Sequence, residues 1–174
     1  FGTLSANPVI YDGAALFAAG HGNTNTNALT AANVDAARLQ MRKQAAYGDP
    51  TDVLAAVPRY LVVPPELEAA ALPIVQLYRS MPGDDPRVRP PFDVLVAPWL
   101  TSTTGWFVIA DPATIETFEI GFASPTDEPQ IMIAGGAGDD GTGRSFNNDS
   151  ISIRVRHPWK EAVVDYRGFV RGNA

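Results

Sequence analysis

The chain has 174 residues, 13 Lys+Arg against 19 Asp+Glu, and a formal net charge of -6. An acidic chain with only Lys43 and Lys160 as lysines is poorly suited to wrapping nucleic acid, where affinity comes mainly from neutralised phosphates. The absence of cysteine excludes a disulfide scaffold, a thiolate metal site and a cysteine nucleophile, and no run of about 18 apolar residues offers a membrane span. The hydrophobic fraction of 45% suits a globular protein of one domain or two small lobes.

Phe1 follows neither a Met nor a charged leader and reads as a cut end, the product of processing or truncation. Residues 1–28 are rich in Gly, Asn and Thr and read as irregular, with one short strand over Ala14-Ala15-Leu16-Phe17 and a loop from Gly20 to Asn27. Thr30 is placed to cap a helix by accepting from the amide of Asn33, with Leu29 and Val34 at the positions of a hydrophobic staple. The spacing predicts a helix over 31–46, with Val34, Ala37, Met41 and Ala45 forming one apolar stripe. Tyr47-Gly48-Asp49-Pro50 ends it.

Pro58-Arg59-Tyr60-Leu61-Val62-Val63 reads as an apolar strand stopped by Pro64 and Pro65. Pro65 suits the first helical position, with Glu66 and Glu68 in the first turn. Pro73 removes an amide and clashes one turn back, so two segments are expected, 65–72 and 73–80. Residues 81–91 form a charged, Pro-rich surface loop by composition. Strands are predicted at Asp93–Ala97, Gly105–Ala110, Ile115–Phe122 and Gln130–Ala134. A flexible loop, Gly135–Gly143, comes next.

The end of the chain alternates most clearly. Ile151, Ile153 and Val155 point one way, and Ser152, Arg154 and Arg156 the other. A His157-Pro158-Trp159-Lys160 connection and a second strand over Glu161–Val170 complete a predicted hairpin whose polar face carries Arg154, Arg156, Asp165 and Arg167. The order is helix, strand, helices, then many strands. That is α+β rather than an alternating β-α-β series.

No catalytic constellation stands out. Gly135-Gly136-Ala137-Gly138-Asp139-Asp140-Gly141-Thr142-Gly143 lacks the Lys-Ser/Thr ending of a phosphate loop and the spaced ligands of a calcium loop. His21 sits between two glycines with no Gly-x-Ser-x-Gly elbow in the chain to partner it, and His157 lies at a turn before Pro158. Glu66 and Glu68 do not share a helical face and suit the helix dipole better than paired acid–base work. Trp99, Trp106 and Trp159 are scattered, as core or interface anchors are. The expectation is no catalytic residue, no cofactor and no metal.

An ordered series of segments adds to this reading. It runs through Asp12-Gly13-Ala14-Ala15-Leu16-Phe17, Gly20-His21-Gly22-Asn23, the Leu29-to-Lys43 helix and Pro58-Arg59-Tyr60-Leu61-Val62-Val63-Pro64-Pro65-Glu66-Leu67-Glu68. It continues through Trp106-Phe107-Val108-Ile109-Ala110-Asp111-Pro112, Ile153-Arg154-Val155-Arg156-His157 and Val164-Asp165-Tyr166-Arg167-Gly168. The series resembles tailed-phage major capsid proteins, in particular Mu-like major head subunits and prohead protease–major capsid fusions, along nearly the whole chain.

The resemblance implies an HK97-type capsid fold with a spine helix, an axial-domain sheet with helices and a long peripheral-domain β-hairpin. Residues 1–28 would be the distal part of the extended loop that lies over a neighbouring subunit, and 29–57 the spine helix and its link. Residues 58–128 would be the axial domain, and 129–174 the sheet of the peripheral domain. The family's N-terminal arm and the first half of the extended loop have no counterpart here, which implies N-terminal truncation.

The implied function is structural: a head subunit of a tailed bacteriophage or prophage, not an enzyme, assembled into an icosahedral shell around DNA. The implied partners are copies of itself in pentameric and hexameric capsomers, portal, scaffold or protease and decoration proteins, and packaged DNA held without specific recognition. No membrane is involved. The implied location is the virion capsid, and the bacterial host cytoplasm during assembly. Arg154, Arg156 and Arg167 are the expected inter-subunit contact. Two alternatives remain: an encapsulin-like shell that packages enzymes, and a small-molecule-binding or hydrolytic domain with a polar pocket near His21.

Overall fold

The computed structural model describes residues 2–80, 92–123, 127–134 and 152–172. The 81–91 and 135–143 loops expected from composition lie outside these. The chain is mixed α+β and divides into two units, residues 1–119 with 163–174, and residues 120–162.

In the first unit a short helix, α1 (Gly2–Ala6), leads into loops and then α2 (Ala31–Arg42). Thr30 caps α2 as the sequence predicts, its side chain accepting from the Asn33 amide at 3.2 Å. Val34, Ala37 and Met41 are buried, and Leu29 packs against the same cluster. The helix is shorter than 31–46. Ala45–Ala46 form β1, which turns through Gly48 in the left-handed region (φ 82°) to pair with β2 (Asp49–Val53). Ala45 therefore leaves the helical stripe for a small hairpin.

The centre of the unit is a four-stranded sheet. Its strands are β3 (Pro58–Val63), β4 (Asp93–Val96), β5 (Trp106–Ala110) and β10 (Phe169–Gly172), in the order β10-β5-β3-β4. β5 is antiparallel to both neighbours, whereas β3 and β4 run parallel. That parallel pair is a β-α-β step, and among the described residues the other paired strands are antiparallel where their register is given. The chain between the two strands includes a 3₁₀ turn, Pro65–Leu67, and α3 (Glu68–Ser80).

Pro73 does not divide this segment where the sequence predicts. α3 is continuous across it, and the change of helix type falls at Leu67/Glu68. A proline deprives the carbonyl four residues earlier of its partner. Here that is Ala69, in the first turn and exposed, so water can satisfy it.

Strand alternation makes two cores from one sheet. Leu61, Val63, Trp106, Val108, Ala110 and Val170 join the α2 and α3 side chains in one cluster. Val62, Phe107, Ile109 and Phe169 join Leu4, Leu16 and Phe17 in the other. Every residue of β5 is buried, which explains its uninterrupted apolar run. The N-terminal stretch thus packs on its own subunit's sheet.

The second unit contains β7 (Gln130–Ala134) and β8 (Ser152–Arg156). They form an antiparallel ribbon with Ile131 opposite Val155 and Ile133 opposite Ile153. β6 (Phe118–Phe122) pairs with β9 (Trp159–Val163). The predicted closing hairpin is therefore corrected: β8 pairs backwards with β7, and the strand expected over Glu161–Val170 is two strands, β9 and β10, divided by a 3₁₀ turn at Tyr166–Gly168.

Candidate functional site

The richest polar arrangement is built on the N-terminal loops. Asn7, with φ 47°, mimics a strand partner: its Nδ2 donates to Phe17 O at 3.2 Å and its Oδ1 accepts from the Phe17 amide at 2.7 Å. Between them Asp12 and Gly13 make a tight turn, with φ 80° at Gly13 and the Ala14 amide donating to Asp12 Oδ1 at 2.9 Å. This places Asp12 Oδ2 2.6 Å from Nε2 of His21. The ring's Nδ1 lies 3.1 Å from Leu16 O, and its face stacks on Tyr166 at 3.9 Å between centroids.

From the other side α2 and the residues just after it hold the turn that carries His21. Gln44 Nε2 donates to His21 O at 3.0 Å, and Gln40 Nε2 donates to Gly22 O. Asn23, fully buried, donates from Nδ2 to Leu16 O at 2.8 Å and to Tyr166 O at 3.4 Å. The backbone from Asn23 to Asn25 then runs beside Arg171 of β10. The Ala14 amide, with His21 adding to it, holds the Asp12 carboxyl below its ordinary range against the opposing effect of burial.

A shallow depression of about 430 Å³ opens beside this cluster, lined by His21, Gln44, Asp49, Tyr166 and Arg167 among others. Arg167 is 7% exposed. Its Nε donates to Ala45 O at 2.9 Å and its Nη1 reaches both Asp165 oxygens at 3.2 Å. Burial works against its charge, but Asp165, Tyr166 and Tyr11 outweigh burial and raise its pKa. Asp165 also caps the 3₁₀ turn by accepting from the Arg167 amide at 2.9 Å.

Chemically this cluster is closed. One ring nitrogen of His21 faces a carboxylate and the other a backbone carbonyl, so neither is turned to an incoming substrate. General acid–base work needs a nitrogen within reach of the reacting group. Among the described residues no group of three His, Asp or Glu could hold a metal ion.

The residues singled out from sequence do not converge. Arg167 faces inward, in the first unit, and pairs with Asp165. Arg154 and Arg156 lie exposed on β8 in the second unit, without an ion pair among the described residues. His157 is held in a turn, 3.0 Å from Asp127 O and stacked on Phe122. Trp106 is buried, whereas Trp99 and Trp159 are exposed. Asp139 and Asp140 lie outside the described residues. The Asp12–His21–Tyr166 association was missed; the Asp-Gly turn was its only local signal.

What the surface offers instead is apolar. Ile131, Ile133, Ile153 and Val155, from opposite strands of one ribbon, are all more than 60% exposed. Among the described residues no helix is long and apolar enough to cross a membrane.

A family model described as phage capsid protein matches residues 1–172. A comparison with curated proteins returned no match. The match spans nearly the whole chain, and the chain belongs to the phage capsid protein family. Its role is that of a capsid structural protein, which self-assembles into capsomers of the virion.

Proposed function

We propose that this capsid-family chain is the major head subunit of a tailed phage or prophage. In this reading it has an HK97-type fold of the Mu-like group and forms pentamers and hexamers of an icosahedral shell that holds DNA. The observation that carries the reading is the family match over residues 1–172. It is supported by a central sheet that carries an apolar core on each face, and by a net charge of -6. An acidic wall repels packaged DNA rather than gripping it.

In this reading α2 is the spine helix, residues 58–128 belong to the axial domain and residues 129–174 supply the peripheral sheet. Residues 1–28 are the distal part of the extended loop. Their inner side is spent on Leu4, Leu16 and Phe17, so reach over a neighbour falls to exposed Val9 and Tyr11. Portal, scaffold or protease and decoration proteins are the further partners, with assembly in the host cytoplasm. No residue is assigned a catalytic role, because the His21 ring is engaged at both nitrogens.

The test is expression of the complete reading frame that encodes this chain, followed by gradient sedimentation and electron microscopy. Closed icosahedral particles built from it support the reading. A protein that remains monomeric at every concentration overturns it. Particles encoded beside a cargo enzyme, without terminase, portal or tail genes, would assign the chain to a protein compartment instead.

A further inference from the structure

Residues 120–162 have an unusual property for a folded unit. Not one of their described residues is buried, and only Pro158 is half-buried. Two-stranded ribbons are at best marginally stable in water without a covered apolar face. Yet this segment is not polar enough to need no cover. Ile131, Ile133, Ile153 and Val155 are 66%, 63%, 67% and 62% exposed.

The register places these four together. Residues directly opposite one another in an antiparallel pair project to the same face. Ile131 opposes Val155 and Ile133 opposes Ile153, so the four aliphatic side chains make one continuous patch. The reverse face carries Met132 opposite Arg154 and Gln130 opposite Arg156. β7 and β8 contain two arginines and no acid. The chain as a whole has 19 acids to 13 bases. A cationic ribbon with an apolar face is therefore complementary to the acidic body of another copy.

We propose that the apolar face of the β7–β8 ribbon is a docking surface for a second copy of this chain, with Ile131, Ile133, Ile153 and Val155 as its anchors, while Arg154 and Arg156 on the reverse face give the ribbon the positive charge that draws it to an acidic partner. This rests on the self-assembling reading given above and specifies where one of its contacts lies. A second copy is the occupant because it is the partner present in greatest number, and its net charge opposes that of the ribbon. The ribbon's charge steers the approach of such a partner, whereas the desolvated aliphatic centre holds the contact.

The absence of cysteine allows a clean test. Ile153→Cys places a single thiol of this chain within the patch, and its alkylation by a small maleimide is timed in assembled shells and in subunits dispersed from them. The expected result is a rate at least about tenfold slower in the shells, as for a group excluded from water at an interface centre. A rate equal in both states overturns the inference while leaving the capsid reading intact. A parent protein that never assembles overturns the capsid reading and the inference together.

A second variant needs no label. Ile133→Lys with Ile153→Lys puts charge into the patch without touching a buried residue. Subunits that melt at the parental temperature yet give at least about tenfold fewer shells support the contact. Parental shell yield contradicts it. If the variant melts early, the side chains serve the subunit's own fold, and the inference falls unless the thiol protection is observed.

Discussion

Gly172 lies against the indole of Trp106, so closely that a Cβ at position 172 would stand 2.1 Å from Trp106 Cε2. The two residues are register partners on β10 and β5. Trp106 is fully buried, and its Nε1 donates to Asn27 O at 3.0 Å, tying the loop before α2 to the sheet. The absence of a side chain at 172 is what lets the largest buried residue sit flat on its neighbour strand.

Gly172→Ala should therefore destabilise the chain by roughly 1–3 kcal/mol, the usual cost of overpacking a filled core. Thermal melting checks this. A melting temperature equal to the parent's would mean the indole rotates away freely, and that its bond to Asn27 O matters little.

Arg167 and Arg154 should respond differently to the same change. Arg167→Ala removes the partner of Asp165 and of Ala45 O, leaving a half-buried carboxylate without its counterion. A loss of about 1–3 kcal/mol is expected for removing one partner of such a part-buried, hydrogen-bonded pair. Arg154→Ala removes an exposed side chain and should leave melting within about 0.5 kcal/mol of the parent. Equal effects would show that the inward and outward assignments of these arginines are wrong.

Much of the first unit was legible because its signals are local. Thr30 three residues before Asn33, and Val34, Ala37 and Met41 on one stripe, specify α2 by spacing alone. The all-apolar Trp106–Ala110 segment announces a strand covered on both faces. What failed was pairing. His157-Pro158 looks like a hairpin turn, yet partner choice is settled by distant register, and β8 found β7 rather than β9. Arg167 was read as a strand residue because alternation outweighed a smaller cue: Asp165 two residues earlier, capping a 3₁₀ turn. The Asp12–His21 pair spans loops without periodicity, so only packing could reveal it.

Asn23 offers a measure of how firmly the N-terminal loops are held. Its Nδ2 serves the carbonyls of Leu16 and Tyr166, which are far apart in sequence. Asn23→Ala would strip both of that donor within a buried site and should cost about 1–3 kcal/mol. Proteolysis would report the same event locally, as faster cleavage within residues 8–28 before the sheet unfolds. Parental melting with parental cleavage would deny the asparagine this role.

Acid should weaken the same region, and the direction follows from its carboxylates. The Ala14 amide and His21 hold Asp12 below its ordinary pKa; the Thr51 side chain and amide do so for Asp49, and the Ala113 amide and Arg59 for Asp111. A carboxyl depressed in the folded state favours folding when ionised. Its contribution is complete above the unfolded carboxyl value of about 3.9 and is lost as pH falls through the lower folded value. Melting temperature should therefore change little because of these groups between neutrality and about pH 5, then fall steeply below about pH 4. Asp12→Asn keeps an oxygen for the Ala14 amide but carries no charge to titrate. It should melt lower than the parent at neutral pH, with the gap closing as pH falls towards 3. A gap that stays constant across that range would mean Asp12 acts through shape alone, and its pairing with His21 contributes nothing that depends on charge.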